Sequence, residues 1–309
     1  MYSFMRNLRL YLDEIGVEHT ADIEGNYDLL VANSWMLTSW ELYAAKRRLS
    51  RLKVLHRIDG AAQDYGRDGV GDLYQKLAIR LADVTVFQSN YGRYATREKF
   101  GVIEQDGPTI YNPVDIKRFH PDGPRVELAG KIRIAFVTYS KNPKKGAAEA
   151  FRLIHEHRSV QFILIGRYED PPLVPNVTLV GHVDWAVLPD YLRSCDFFLM
   201  LSENETCPNV VLEAMASGLP VLYKDSGGTG ELVREAGFSV TPSNFRETLD
   251  RAWPLREELG RRARELCETE FSSAVVVTRY LEAARQADRR SPPSRLTNLW
   301  YRLRTRLSI

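Results

Sequence analysis

The chain has 309 residues, 42 Lys and Arg against 40 Asp and Glu, 44% hydrophobic and 27% charged positions. That length suits two domains of ordinary soluble composition, and a formal charge of +2 gives no case for nucleic acid as a partner. The three cysteines, Cys195, Cys207 and Cys267, are odd in number and lack CxxC spacing, which excludes a disulfide framework or structural zinc site and fits a reducing cytoplasm.

No apolar run nears the ~20 residues that cross a bilayer. The opening MYSFMRNLRLYL lacks a signal-peptide core followed by a cleavage site. A cytoplasmic protein is expected.

Residues 4–15 carry apolar groups at 4, 8, 12 and 15, an amphipathic helix stopped by Gly16. Short β-type runs then alternate with helical patterns: YDLLVANSW from 27, a helix over 39–51, KVLHRID from 53, a helix over 71–82, VTVFQS from 84, a helix ending at 100, and PTIYNPVD from 108. Such alternation predicts βαβ units and a parallel sheet. HPDGPRVELAG (120–130) has Pro and Gly among charges and no apolar period, so it reads as a linker. A second α/β domain follows, with strands at IRIAFVTY (132), VQFILIG (160), VTLVG (177), FFLMLS (197) and VLYKD (221), several apolar throughout as strands covered on both faces are. Residues 244–288 read as helical. The expected division is 1–124, 125–288 and a tail, 289–309.

The stretch SENETCPNVVLEAMASG (202–218) leaves a buried strand and enters a helix at Pro208 that stops at Gly218. Glu205 falls in the loop and Glu213 inside the helix, about 7 to 8 Å along its axis. The free N–H groups and dipole of a helix start favour a phosphate. A sugar nucleotide has hydroxyls on both sides of its diphosphate, so Glu205 suits the sugar and Glu213 the ribose. The same spacing also suits a capping carboxylate and a solvated helix face.

The longer string ETCPNVVLEAMASGLPV resembles the E-x7-E signature of retaining glycosyltransferases of family 4. The flanking LPDYLRSCDFFLMLS and SGGTGELV agree in order and distance. The resemblance implies a GT-B fold, two Rossmann-like α/β domains facing across a cleft, with the donor bound mainly by the second. It implies transfer of a sugar from a nucleotide-sugar donor to a hydroxyl acceptor with retention, in polysaccharide or glycolipid assembly, without metal or other cofactor. Glu205 would position the sugar and Glu213 the ribose, while Lys145 and the helix start at Pro208 and Asn209 would stabilise the leaving diphosphate. Thr206 and Cys207, between the glutamate and the helix, join the expected donor contacts.

In the family the phosphate loop reads G-R-L-x-x-x-K-G. Here TYSKNPKKG offers Lys145 and Gly146 for the last pair, but Ser140 stands at the arginine position. Either Lys141 supplies that charge, or Ser140 and Asn142 bind phosphate without one. Gly227 and Gly228 allow close backbone approach to a ligand. In the first domain HRIDG offers His56 and Asp59 near the place of a family histidine that contacts the transferred sugar, neither in clean register. The family's opening strand and Gly-rich loop are not matched, since this chain starts in what resembles the following helix. That departure, with Ser140 at the arginine position, keeps open a non-catalytic sugar-nucleotide-binding protein; a GT-B sugar-nucleotide epimerase shares the fold, although E-x7-E with AMASG points away from it.

The tail RRSPPSRLTNLWYRLRTRLSI sets Leu296, Leu299, Trp300, Leu303 and Leu307 at helical spacing among arginines. This is the pattern of a helix on an anionic membrane surface, here the inner face, and equally of a helix packed back on the first domain.

Overall fold

The computed structural model describes residues 2–66, 69–101, 103 and 106–286. The basic tail lies outside the described residues. Among the described residues two compact units share the chain, one formed by 2–11 and 111–277, the other by 12–110 and 278–286. The passage from the smaller to the larger unit falls at Ile110–Tyr111, ahead of the 120–130 stretch. Tyr111 donates to Glu231 at 3.1 Å, and Asn112 binds the Cys207 carbonyl at 2.8 Å, which ties this segment to the larger unit.

Helix α1 (Tyr2–Glu14) opens the chain. Its expected stripe is only partly used: Phe4 and Leu8 are buried, while Ile15 is 43% exposed. The smaller unit then alternates β1 (Leu29–Asn33), α2 (Ser39–Arg48), β2 (Lys53–Ile58), α3 (Val70–Leu81), β3 (Val84–Phe87), α4 (Asn90–Phe100) and β4 (Asp106–Thr109). All pairings are parallel, in the order β1-β2-β3-β4. Thr38 and Glu41 form a reciprocal capping box that starts α2. The last strand begins two residues before the sequence expectation and stops before Tyr111.

The larger unit runs β5 (Arg133–Thr138), α5 (Ala147–Glu156), β6 (Gln161–Gly166), β7 (Val177–Gly181), α6 (Leu188–Arg193), β8 (Phe197–Met200), α7 (Asn209–Ala216), β9 (Val221–Tyr223), α8 (Thr229–Val233) and β10 (Gly237–Ser239). Helices α9 (Phe245–Ala252), α10 (Arg256–Leu266) and α11 (Ser273–Gln286) follow. Its six strands are all parallel in the order β10-β9-β8-β5-β6-β7. Side chains alternate along each strand. Ile134, Phe136, Phe162, Leu164, Phe197 and Leu199 face one layer with α5 and α9, while Ala135, Val137, Ile163, Ile165, Phe198 and Met200 face the other with α6 and α7. Both faces are covered, which is why these strands read as unbroken apolar runs.

In domain order the strands lie 3-2-1-4-5-6, the doubly wound nucleotide-binding arrangement. Winding reverses between β5 and β8. The loops leaving the carboxyl ends of these two neighbours are 139–146 and 201–208, the two that carry Lys145 and Glu205.

Candidate active site

The loop after β5 is shaped by its own side chains. Ser140 Oγ accepts from the Asn142 amide at 3.2 Å, and Asn142 Oδ1 accepts from the Lys144 amide at 3.0 Å, leading into a 3-10 turn over Pro143–Lys145. These hydroxyl and amide groups hold the backbone of the loop. Lys141 points elsewhere, pairing with Glu169 at 2.8 Å on the surface.

Gly146 ends the turn with φ +78°, and a Cβ there would stand 2.5 Å from the Leu201 carbonyl oxygen. That close approach lets the Glu203 amide donate to the Lys144 carbonyl at 2.8 Å. The two loops are therefore laced together, and the Lys145 ammonium pairs with the Glu205 carboxylate. Gly146→Ala should accordingly cost about 1 to 3 kcal/mol through strain and crowding. It should also loosen the Lys145–Glu205 pair. Thermal melting and turnover of the variant check both.

Glu205 is held from beneath as well. The Gly228 amide donates to its carbonyl at 2.7 Å, and a Cβ on Gly227, at φ +69°, would meet the same oxygen at 2.3 Å. These glycines make room for the Glu205 backbone. Thr206 is buried, and the Cys207 thiol turns inward, 3.2 Å from the Asn112 amide. Helix α7 begins one residue later than the sequence suggests, with Pro208 as its cap and Asn209 first. No side chain caps it, no acid lies in its first turn, and the buried Asn209 Oδ1 has no hydrogen-bond partner. An uncapped helix start next to an orphaned acceptor fits a ligand that carries both anionic oxygen and a hydroxyl.

Glu213 lies one turn further, 8% exposed. Burial pushes its carboxyl up to about 7, against a hydrogen bond from Trp185 Nε1 at 3.4 Å and the nearby positive charge of Arg6, which both lower it. Tyr139 is pushed up to about 12 by its own burial and by the charge of Glu213, and packs edge-on against His182. A charged carboxylate kept where water cannot solvate it is costly unless a ligand supplies hydrogen bonds. Among the described residues no group of three or more His, Cys, Asp or Glu side chains comes together to hold a metal ion.

Residues 132–253 match the family described as glycosyl transferases group 1. Over that segment the chain is similar to this family, and its fold is that of the GT-B proteins. Spore coat protein SA of Bacillus subtilis (strain 168) is 24% identical over 248 residues, 67% of this chain and 66% of that protein. A GDP-mannose-dependent alpha-mannosyltransferase of Mycolicibacterium smegmatis is 30% identical over 122 residues, 38% of this chain and 30% of the relative. The chain thus spans just under two thirds of the first relative and less than a third of the second. Among solved structures, Anabaena Alr3699/HepE in complex with UDP superposes with a TM-score of 0.68 at 19% identity, over 84% of this chain and 79% of that one. The matched segment coincides with the larger unit's sheet and its loops.

In the smaller unit the two candidates lie at the end of β2. His56 is fully buried and its Nε2 lies 3.1 Å from the Ser34 carbonyl, while burial lowers its pKa to about 4. That is the setting of an interior histidine, neutral at pH 7. Asp59 accepts from Gln88 at 2.5 Å and lies 3.8 Å from Arg57. Sequence reasoning missed Trp185, Tyr139 and Arg6 around Glu213. An indole or a phenol in a loop follows no period, and Arg6 reads as the polar face of an amphipathic helix.

Proposed function

We propose that this chain is a retaining, metal-independent hexosyltransferase of the family 4 kind, moving a sugar from a nucleotide-sugar donor to a hydroxyl acceptor in polysaccharide or glycolipid assembly. The observation that carries this reading is the Lys145–Glu205 pair at the winding reversal of a doubly wound sheet, beside the uncapped start of α7. Nucleotides bind at that place in such sheets.

On this reading the bond between the anomeric carbon and the diphosphate oxygen breaks as the acceptor oxygen bonds to the same face. The acceptor proton leaves with the departing diphosphate. Lys145 has three N–H donors, so it can keep Glu205 and still reach a phosphate oxygen. With the α7 amides it stabilises the charge that grows on the leaving group. Glu205 accepts from a sugar hydroxyl, and Glu213, once ionised, from the ribose.

The named relatives differ in nucleotide, so the test uses UDP-, GDP- and ADP-sugars. Release of nucleoside diphosphate from at least one donor is expected in EDTA without added metal. Neither release nor binding with any of them would overturn the reading. A binding-only role would show as nucleotide binding with no release in the presence of any glycan acceptor.

A further inference from the structure

A second cation approaches Glu213 from a remote part of the chain. In the opening turns of α1, Phe4 and Leu8 are buried and the Asn7 amide donates to the Pro113 carbonyl at 2.9 Å, which fixes this end of the helix on the larger unit. Arg6 rides on the same turns. Its guanidinium lies over the Trp185 ring, 3.5 Å from the centroid. Trp185 is the residue whose indole N–H donates to Glu213. Arg118 also covers this ring, at 4.3 Å, and is itself 3.9 Å from Asp115.

The charges near Arg6 are therefore Glu213, Asp115 and Asp184 on one side and Arg118 on the other. Burial is the largest influence on its guanidinium and disfavours the charge, with Glu213 opposing. Most telling, Nε and Nη2 of Arg6 are buried and donate to no acceptor. A guanidinium has a planar fork of N–H groups that matches phosphate oxygens. Leaving two of them unmet in the interior is costly, and a contact that served only to plug the site would be expected to use Glu213 as acceptor.

Resting on the donor-site reading above, we propose that Arg6 is a donor ligand whose Nε and Nη2 bind a phosphate oxygen of the nucleoside diphosphate held at Glu213. This supplies a second positive charge in a chain where Ser140 occupies the family's arginine position. The cation would come from the first helix instead of the loop after β5.

The test is calorimetric binding of UDP and GDP to the full chain, comparing wild type with Arg6→Ala, Arg6→Gln and Arg6→Lys. A hydrogen-bonded charge contact predicts a loss of about tenfold or more in Arg6→Ala, with Arg6→Lys retaining part of the affinity. If the alanine variant fails to fold, as judged by melting, the glutamine variant, uncharged but keeping more of the stem, decides. Unchanged affinity in the folded variant would remove the assignment, and tighter binding would show that Arg6 plugs the site, which also overturns it. Wild type that binds neither nucleotide would instead remove the donor-site reading itself.

Discussion

Lys145→Ala should lower turnover by ~10²-fold or more, with a smaller effect on the affinity for free nucleoside diphosphate. The reason lies in when the charge matters. The diphosphate gains negative charge as its bond to the sugar breaks, so a cation fixed beside it stabilises the transition state more than the bound donor. Lys145 is already fixed, because the Gly146 turn and the Glu203–Lys144 backbone bond set its loop against Glu205 before any ligand arrives.

Removing the ammonium also leaves the Glu205 carboxylate, 14% exposed at its side chain, without its partner. Some loss of stability is therefore expected as well. Turnover must be compared at a temperature where both proteins are folded, and Lys145→Arg, which keeps the charge but changes its shape, should fall between the two. A near wild-type rate in Lys145→Ala would pass the role to Lys141 or Lys144, the exposed Lys141–Glu169 pair being weak enough to open. Glu205→Ala should behave in parallel, with turnover lost more than nucleoside diphosphate affinity, because free nucleotide lacks the sugar that Glu205 would hold.

The sheet of the larger unit was legible because its chemistry is periodic. Strands such as QFILIG are buried on both faces, so nearly every position must be apolar, and the intervening helices carry their own spacing. β10 was not legible. It is three residues long, Gly237–Ser239, and has too few side chains to carry a pattern. The stretch after 244 is helical as expected, but it changes to a 3-10 helix at Trp253–Leu255 and a π-helix at Cys267–Phe271, which helical periodicity does not register.

At the site, Glu205 and Glu213 stood out because one helix start fixes both of them in sequence. The meeting of distant segments leaves no periodic signal, and only the family resemblance placed Lys145 at one site with Glu205. Lys145 and Glu205 are sixty positions apart, and their pairing depends on Gly146 admitting the Leu201 carbonyl. Arg6, Trp185 and Glu213 come from three separate elements. His56, a strand-end candidate in the sequence, is fully buried because both faces of β2 are covered after Lys53.

Glu213→Gln should stabilise the protein at pH 8 and weaken its hold on nucleotide. The carboxyl is raised by burial from an ordinary 4.5 to about 7. Between those two values the folded chain binds more protons at this site than the unfolded chain, so stability falls as pH rises from about 4.5 and levels off above 7. The full difference is about 3 kcal/mol at 1.36 kcal/mol per pH unit. Glutamine keeps the shape and still accepts the Trp185 N–H without that penalty, although the attraction of Arg6 for the carboxylate is lost and offsets part of the gain. The variant should therefore melt above wild type at pH 8, with the gap closing toward pH 5. Nucleotide binding should move the other way. The ionised carboxylate can accept from two ribose hydroxyls, so wild-type affinity should rise as pH passes through 7, whereas Glu213→Gln should be weaker by about tenfold at pH 8 and lack this component of the pH dependence. Melting and calorimetry of both proteins at pH 5, 6.5 and 8 would check the two effects together. A variant less stable than wild type at pH 8, with nucleotide affinity unchanged, would mean that Glu213 holds the fold and not the ribose.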